Sequence, residues 1–212
     1  MREVNRVLSG LTLLLCLFIA HRLSAQQFPS ELWYDGKLVL LDGDTIEGKI
    51  KYDFEIDLVQ SIVNNTMQTY SARKILFFQI YDNVSGTYRR FFSLPYKIEP
   101  TYKAPILFEA LYEGKLSLLC REAIVTESAP AYSYYGFRQP IYATRTKLEF
   151  NFYFLDQKGE IEKYMMKKAD LLNIMRDKAP QIKQYMKKHN LRHDNRNDLF
   201  RIVSYYNALL GK

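Results

Sequence analysis

Cysteine and histidine are scarce in this chain, with two cysteines and three histidines in 212 residues. Glycine and proline are also few, at nine and seven residues, whereas 48% of the residues are hydrophobic and 25% are charged. This composition excludes a collagen-like fibre, a disulfide-stapled scaffold and an intrinsically disordered chain. The sequence therefore predicts an ordinary globular protein that is long enough to bury a sizeable core.

The first 25 residues have the three parts of a secretory signal peptide. Arg2 and Arg6 precede an apolar run over residues 7–20, and the small residues Ser24 and Ala25 follow it. The run spans 14 residues, whereas a helix that crosses a bilayer needs roughly 20. We therefore expect residues 1–25 to be a cleaved signal peptide and the mature chain to contain no transmembrane span; the alternative is an uncleaved membrane anchor.

Catalytic and metal-binding motifs are missing from the mature chain. Its one cysteine, Cys120, lies in an apolar segment and is expected to be a small buried side chain, not a reactive thiolate. His189 and His193 have the i, i+4 spacing of a helical metal pair, but the residues between them break a helix and no third histidine follows. We expect no metal site, no cofactor and no identifiable catalytic residue.

Residues 26–166 have the pattern of an antiparallel β domain. Ile46, Ile50 and Tyr52 alternate with polar residues, a period of two that predicts a half-buried strand. Turn signals such as Asp42-Gly43-Asp44 separate further strand-like runs. Leu148, Phe150, Phe152 and Phe154 form an apolar stripe, with Tyr153 on the opposite, outward face. The pattern predicts a meander, folded as a sandwich or a partly open barrel.

Residues 167–212 change to a helical period. Leu199, Ile202, Val203 and Tyr206 fall on one helical face, and Asn197 or Asp198 is the expected cap. Pro180 suits the first turn of a preceding helix. Three short helices are not stable alone, so we expect them to pack on the sheet. The fold class predicted is α+β: strands first, then a C-terminal helical bundle packed on them.

Charge divides the mature chain in the same way. Residues 26–162 hold 15 basic and 18 acidic residues, whereas residues 163–212 hold 12 basic and 4 acidic residues. The basic side chains are distributed as the polar faces of helices. We expect weak attraction to anionic surfaces, such as lipid headgroups or acidic polysaccharide, and no nucleic-acid binding. The basic side chains in question are Lys163, Lys167, Lys168, Lys183, Lys187, Lys188, Arg192 and Arg196.

An aromatic loop is predicted over residues 128–146. Long loops are often functional, and tyrosine and arginine supply contact area at interfaces. The hypothesis is a site for a protein, a peptide or a glycan; the alternative is a lid that folds onto the end of the sheet. The candidate binding residues are Tyr132, Tyr134, Tyr135, Phe137, Arg138 and Tyr142.

The chain resembles a group of uncharacterised exported proteins from Bacteroidota. The resemblance is carried by GKLVLLDGDTIEGKIKYD over residues 36–53, LYEGKL over residues 111–116 and DLFRIVSYYN over residues 198–207. It implies a Gram-negative envelope location, periplasmic or outer-membrane-associated, and it implies no activity. We therefore expect a non-catalytic binding or structural component of the envelope. The alternative is an envelope hydrolase that uses a carboxylate pair which spacing does not reveal.

Overall fold

The structure is a computed structural model that describes residues 27–131 and 141–211, with side chains over residues 27–128 and 144–211. The chain divides into two compact units, Met1–Leu32 and Trp33–Lys212. In the described part of the first unit, Pro29–Glu31 forms a 3₁₀ turn, and the Phe28 amide donates a hydrogen bond to the Glu31 carboxylate.

The described part of the second unit holds ten strands followed by three helices, which confirms the predicted α+β class and element order. The strands are β1 (Tyr34–Leu40), β2 (Thr45–Asp53), β3 (Leu58–Val63), β4 (Thr66–Ser71), β5 (Ile75–Asp82), β6 (Thr87–Glu99), β7 (Tyr102–Tyr112), β8 (Ser117–Ala131), β9 (Ile141–Leu155) and β10 (Ile161–Lys163). The helices are α1 (Lys168–Ile174), α2 (Ala179–Lys188) and α3 (Arg196–Leu209).

All ten strands belong to one antiparallel sheet that is not closed. Their order is β10-β9-β8-β7-β6-β5-β1-β2-β3-β4, so neighbours in space are neighbours in sequence except where β5 pairs with β1. Four strand spacings, about 19 Å in a flat sheet, separate β4 from β5, whereas the chain from Ser71 to Ile75 spans at most about 14 Å. The sheet must therefore curl so that the 3₁₀ turn Ala72–Lys74 can join the two strands.

The inside of this curl is filled by aromatic rings. The Tyr52 ring contacts those of Phe54, Phe78 and Phe91, with centroids 4.9, 5.8 and 4.9 Å away. Phe78 and Phe91 stack face to face at 4.5 Å. Each buried ring contributes roughly 2–3 kcal/mol of hydrophobic stabilisation, so this cluster holds the first half of the sheet together.

The helices pack on β8 and β9, as predicted. Leu118 and Phe152 on the strands share one core with Leu171, Ile182 and Ile202 on the helices. Asn207 of α3 also binds the backbone just before β8. Its side-chain amide oxygen accepts a hydrogen bond from the Leu116 amide, and its side-chain amide nitrogen donates one to the Leu116 carbonyl. Among the described residues, no helix is long and apolar enough to cross a bilayer.

The residues that were predicted to mark the helix ends do so in the structure, with one correction. Pro180 lies in the first turn of α2, and Asn190 adopts the left-handed conformation just beyond its end, with φ of 50°. The predicted cap of α3 was wrong by two or three residues: the Asn195 side chain accepts hydrogen bonds from the amides of Asn197 and Asp198. The side-chain oxygen of the residue just before a helix can reach the backbone amides of the second and third helical residues, which have no partner inside the helix. The side chains of those helical residues cannot cap their own amides in this way.

Two further predictions about the strands need correction. Tyr153 does not face solvent, since it is buried with Phe108 and Leu119 on the sheet face opposite the helices. Residues 128–131 and 141–146 are not loop, because β8 and β9 remain paired as far as Ala131 and Ile141. The pairing extends because a two-stranded ribbon satisfies its own backbone hydrogen bonds whatever the polarity of its side chains.

Candidate functional site

Three neighbouring strands place charged side chains on one buried face of the sheet. Arg89 of β6, Glu109 of β7 and Glu122 of β8 are all less than 10% exposed. In the strand register Phe91 lies opposite Glu109, and Glu109 lies opposite Cys120. Because alternate residues share a face, Arg89 and Glu122 fall on the same face as Glu109. Together with Tyr52 of β2 they form what we call the Arg89 cluster.

Arg89 is the centre of this cluster. Its Nε and Nη2 atoms donate to the two carboxylate oxygens of Glu109 at 2.9 and 2.8 Å, a bidentate pairing. Nη2 also donates to Glu122 at 2.5 Å. Burial by itself lowers the pKa of the Arg89 guanidinium, but the hydrogen bonds and negative charge of Glu109 outweigh burial, so the pKa is raised. Arg89 is therefore permanently charged and held in one orientation.

Tyr52 closes the cluster on the side of the aromatic core. Its hydroxyl accepts a hydrogen bond from Arg89 Nη1 at 3.2 Å and donates one to Glu122 at 2.8 Å. Burial, followed by the charge of Glu122, raises the pKa of Tyr52 well above 10.0. The phenol therefore stays protonated and serves as a fixed donor to the carboxylate.

The first residue of α3, Arg196, extends this network to the surface. Its Nη2 atom donates to Glu109 at 2.5 Å, and its guanidinium lies 5.3 Å from the centre of the Phe150 ring. Among the described residues, its Nε and Nη1 atoms have no hydrogen-bond partner, and the side chain is one-third exposed. Arg196 is thus fixed at one edge and open at the other.

Arg196 lines a cleft of about 290 Å³. One wall is the hairpin of β5 and β6, another is β7, and the third is the first turns of α3. The residues that line it are Asp82, Ser85, Thr87, Tyr88, Arg89, Glu109, Ala110, Leu111, Arg196, Asn197 and Phe200. Charged, hydroxyl, amide and aromatic groups therefore converge on one small volume.

The two buried acids do not form a free carboxylate pair. Glu109 is bonded by both Arg89 and Arg196, and Glu122 is bonded by Arg89 and Tyr52. The formal charges of the two arginines and the two glutamates cancel. A general acid or base needs an oxygen that can reach the substrate, whereas both oxygens of each carboxylate are already hydrogen-bonded within the protein. The network is better suited to hold Arg196 than to transfer protons.

Five of the predicted binding residues lie outside the described residues: Tyr132, Tyr134, Tyr135, Phe137 and Arg138. The sixth, Tyr142, lies in β9, not in a loop, and its side chain is outside the described part. The structure brings none of the described part of this segment to the cleft, whose lining residues end at β7 and resume in α3.

The other residues named from the sequence differ in how far the structure buries them. Cys120 is fully buried, which confirms the predicted small buried side chain, and burial followed by the charge of Glu109 raises the pKa of its thiol. Lys183, Lys187 and Lys188 are exposed on α2. Arg196 differs from these lysines, because its side chain is only one-third exposed and bonds to the buried Glu109.

His189 and His193 contact different residues. The His189 ring lies 4.6 Å from that of Tyr185, whereas Nδ1 of His193 is 3.1 Å from the hydroxyl of Tyr164. Among the described residues, no group of three or more His, Cys, Asp or Glu side chains is placed to hold a metal ion.

Sequence reasoning missed the Arg89 cluster. A signal was present, since Glu109 interrupts the apolar run ILFEALY over residues 106–112 and Glu122 follows the apolar run LSLLC over residues 116–120. A lone charge within an apolar strand is expected to be buried and paired. Only the strand register, however, identifies the partners.

Comparisons with protein-family models, with curated proteins and with solved structures find no match to this chain.

Proposed function

We propose that this chain is an exported, non-catalytic binding protein of a Gram-negative cell envelope, periplasmic or outer-membrane-associated, and that the cleft at Arg196 is its ligand site. The export part rests on the signal-like residues 1–25 and on the resemblance of the sequence. The binding part rests on the chemistry of the cleft.

One observation carries the proposal: Arg196 lines the cleft and is anchored by Glu109, while its Nε and Nη1 donors have no partner among the described residues. Holding a long side chain still costs about 2 kcal/mol of rotamer entropy. When the protein fixes the side chain in advance, a ligand does not have to pay that cost. A pre-oriented donor at the wall of a cleft is a typical element of a binding site.

A hydrolase is the competing function, and the convergence of Glu109 and Glu122 favours it. All four oxygens of these carboxylates are, however, already hydrogen-bonded to Arg89, Arg196 or Tyr52. Carboxylate hydrolysis of glycosides needs one carboxyl group to protonate the leaving oxygen and a second to act as nucleophile or base. Neither acid has an oxygen free for such a role, so binding is the function that we propose.

The experiment compares binding with turnover on the same protein. The mature chain and its Phe200→Ala variant are screened against immobilised peptides and glycans, and the mature chain is incubated with chromogenic glycosides and esters. We expect a ligand whose binding is weakened by Phe200→Ala, and no turnover. Turnover that is abolished by Glu122→Gln in a variant that still melts cooperatively would establish the hydrolase instead.

Export has its own test. The protein recovered from an envelope fraction is expected to begin at Gln26 when its N-terminus is sequenced. Recovery of the intact chain from Met1 in the cytosol would contradict the proposed location without affecting the cleft.

A further inference from the structure

We propose that the cleft at Arg196 binds a neutral saccharide, one or two sugar rings in size; this inference rests on the binding function proposed above and specifies its ligand. It is argued from an aromatic ring, the polar groups, the charge and the volume of the cleft.

An aromatic ring in the wall of the cleft is exposed yet held in place. Phe200 of α3 is 43% exposed and lines the cleft. Its ring meets the Tyr112 ring edge to face at 5.7 Å. A sugar ring has an apolar C–H face, and a fixed exposed aromatic ring is the surface on which that face packs.

Hydrogen-bond donors and acceptors also line the cleft. Arg196 offers its Nε and Nη1 donors, which no described residue pairs. Asp82 uses Oδ1 to accept from the amides of Val84 and Ser85 within the hairpin turn, and its Oδ2 has no partner in the described part of the chain. The hydroxyls of Ser85 and Thr87 lie 2.9 Å apart and both line the cleft. Sugar hydroxyls both donate and accept, so they match a wall that mixes donors with acceptors.

The charge of the cleft disfavours an anionic ligand. Arg89 and Arg196 are balanced by Glu109 and Glu122, and Asp82 adds one negative charge at the wall. A phosphate or a carboxylate would meet Asp82 without a spare positive charge to offset the repulsion. A neutral ligand does not meet this electrostatic repulsion.

The volume limits the ligand to a small one. The cleft measures about 290 Å³, at the lower end of the roughly 300–1,000 Å³ of small-molecule sites. This space suits one or two sugar rings and excludes a folded partner.

The test measures affinity for defined probes by titration calorimetry. The probes are neutral oligosaccharides of N-acetylglucosamine, galactose and mannose, acidic oligosaccharides of galacturonic acid, and a set of short peptides. Phe200→Ala removes the ring and Thr87→Val removes a hydroxyl from the wall of the cleft. Tyr102→Ala is the matched control because it removes an exposed ring that does not line the cleft. We expect a neutral oligosaccharide to bind, each cleft variant to weaken it at least tenfold, and the control to leave it unchanged.

The outcomes separate this inference from the proposed function. If the cleft variants abolish binding of an acidic oligosaccharide or a peptide and no neutral sugar binds, the saccharide assignment is overturned and the binding function stands. If every probe fails to bind, or if binding is indifferent to both cleft variants, the cleft is not a ligand site and both proposals are overturned. Thermal melting of each variant is the control for folding.

Discussion

Arg121 on β8 and Asp57 in the turn before β3 form an ion pair, with Nη1 and Oδ1 2.7 Å apart, at the point where β8 parts from β7. The pair also bonds both backbone groups of Leu107: Asp57 accepts from its amide, and Arg121 donates to its carbonyl. The pairing of β7 with β8 begins only at Glu109, two residues after Leu107 in the chain. Two side chains thus replace the backbone partners that β7 loses.

Arg121→Met is expected to destabilise the protein by about 3 kcal/mol, because it leaves a largely buried carboxylate and a backbone carbonyl unpaired. Urea unfolding measures the change. Arg90→Met is the control, since its pair with Glu113 is about half exposed and is worth less than about 1 kcal/mol. Equal losses for the two variants would show that the Asp57 pair does not replace strand hydrogen bonds.

Ile202→Asp is expected to cost several kcal/mol, because Ile202 is fully buried between α3 and the sheet and an unpaired charge there has no compensation. The total stability of a domain is about 5–15 kcal/mol, so the melting temperature should fall sharply. Ala208→Asp, on the exposed side of the same helix, should cost less than about 1 kcal/mol. Equal melting temperatures for wild type and Ile202→Asp would mean that α3 does not hold the sheet.

Stability is expected to fall above pH 10, partly through Tyr206. Burial, followed by the hydrogen bond to Asp177, raises the pKa of Tyr206 from 10.0 to about 12. The unfolded chain releases this proton first, so the stabilisation is complete below pH 10 and is lost between pH 10 and about 12. The loss from one proton is on the order of 1 kcal/mol for each pH unit.

Tyr206→Phe tests this titration. Denaturant unfolding between pH 9 and pH 12 should show a shallower decline for the variant than for the wild type, since the other buried tyrosines contribute equally to both. Parallel declines would mean that Tyr206 ionises equally in the folded and unfolded chains.

Replacing Tyr134, Tyr135 and Phe137 by Ala is expected to weaken binding of a macromolecular partner by about 2 kcal/mol or more, because interface energy concentrates in aromatic anchors. The partner is first isolated by pull-down from an envelope extract. The melting temperature should change less than for Phe152→Ala, which removes a fully buried ring. A triple variant that unfolds while its folded fraction binds normally would identify these rings as part of the core.

The secondary structure of several segments of this protein can be predicted from the sequence. Alternation at residues 45–52 and the helical period from Leu199 onward each require only near neighbours, and both are found as predicted. Pro180 and Asn190 mark a helix start and a helix end through their own backbone preferences. Cys120 is buried because it lies within an apolar strand, which the sequence also shows.

Tertiary structure decided what depends on residues far apart in the chain. The mostly exposed β4 has too few apolar residues to signal a strand, and it forms because β3 offers it a free edge. Arg89 is hydrogen-bonded to Tyr52, 37 positions away in the sequence, and Glu109 is hydrogen-bonded to Arg196, 87 positions away. A charge in an apolar strand predicts that a partner exists, but only the pairing of strands and the docking of α3 determine which residue it is.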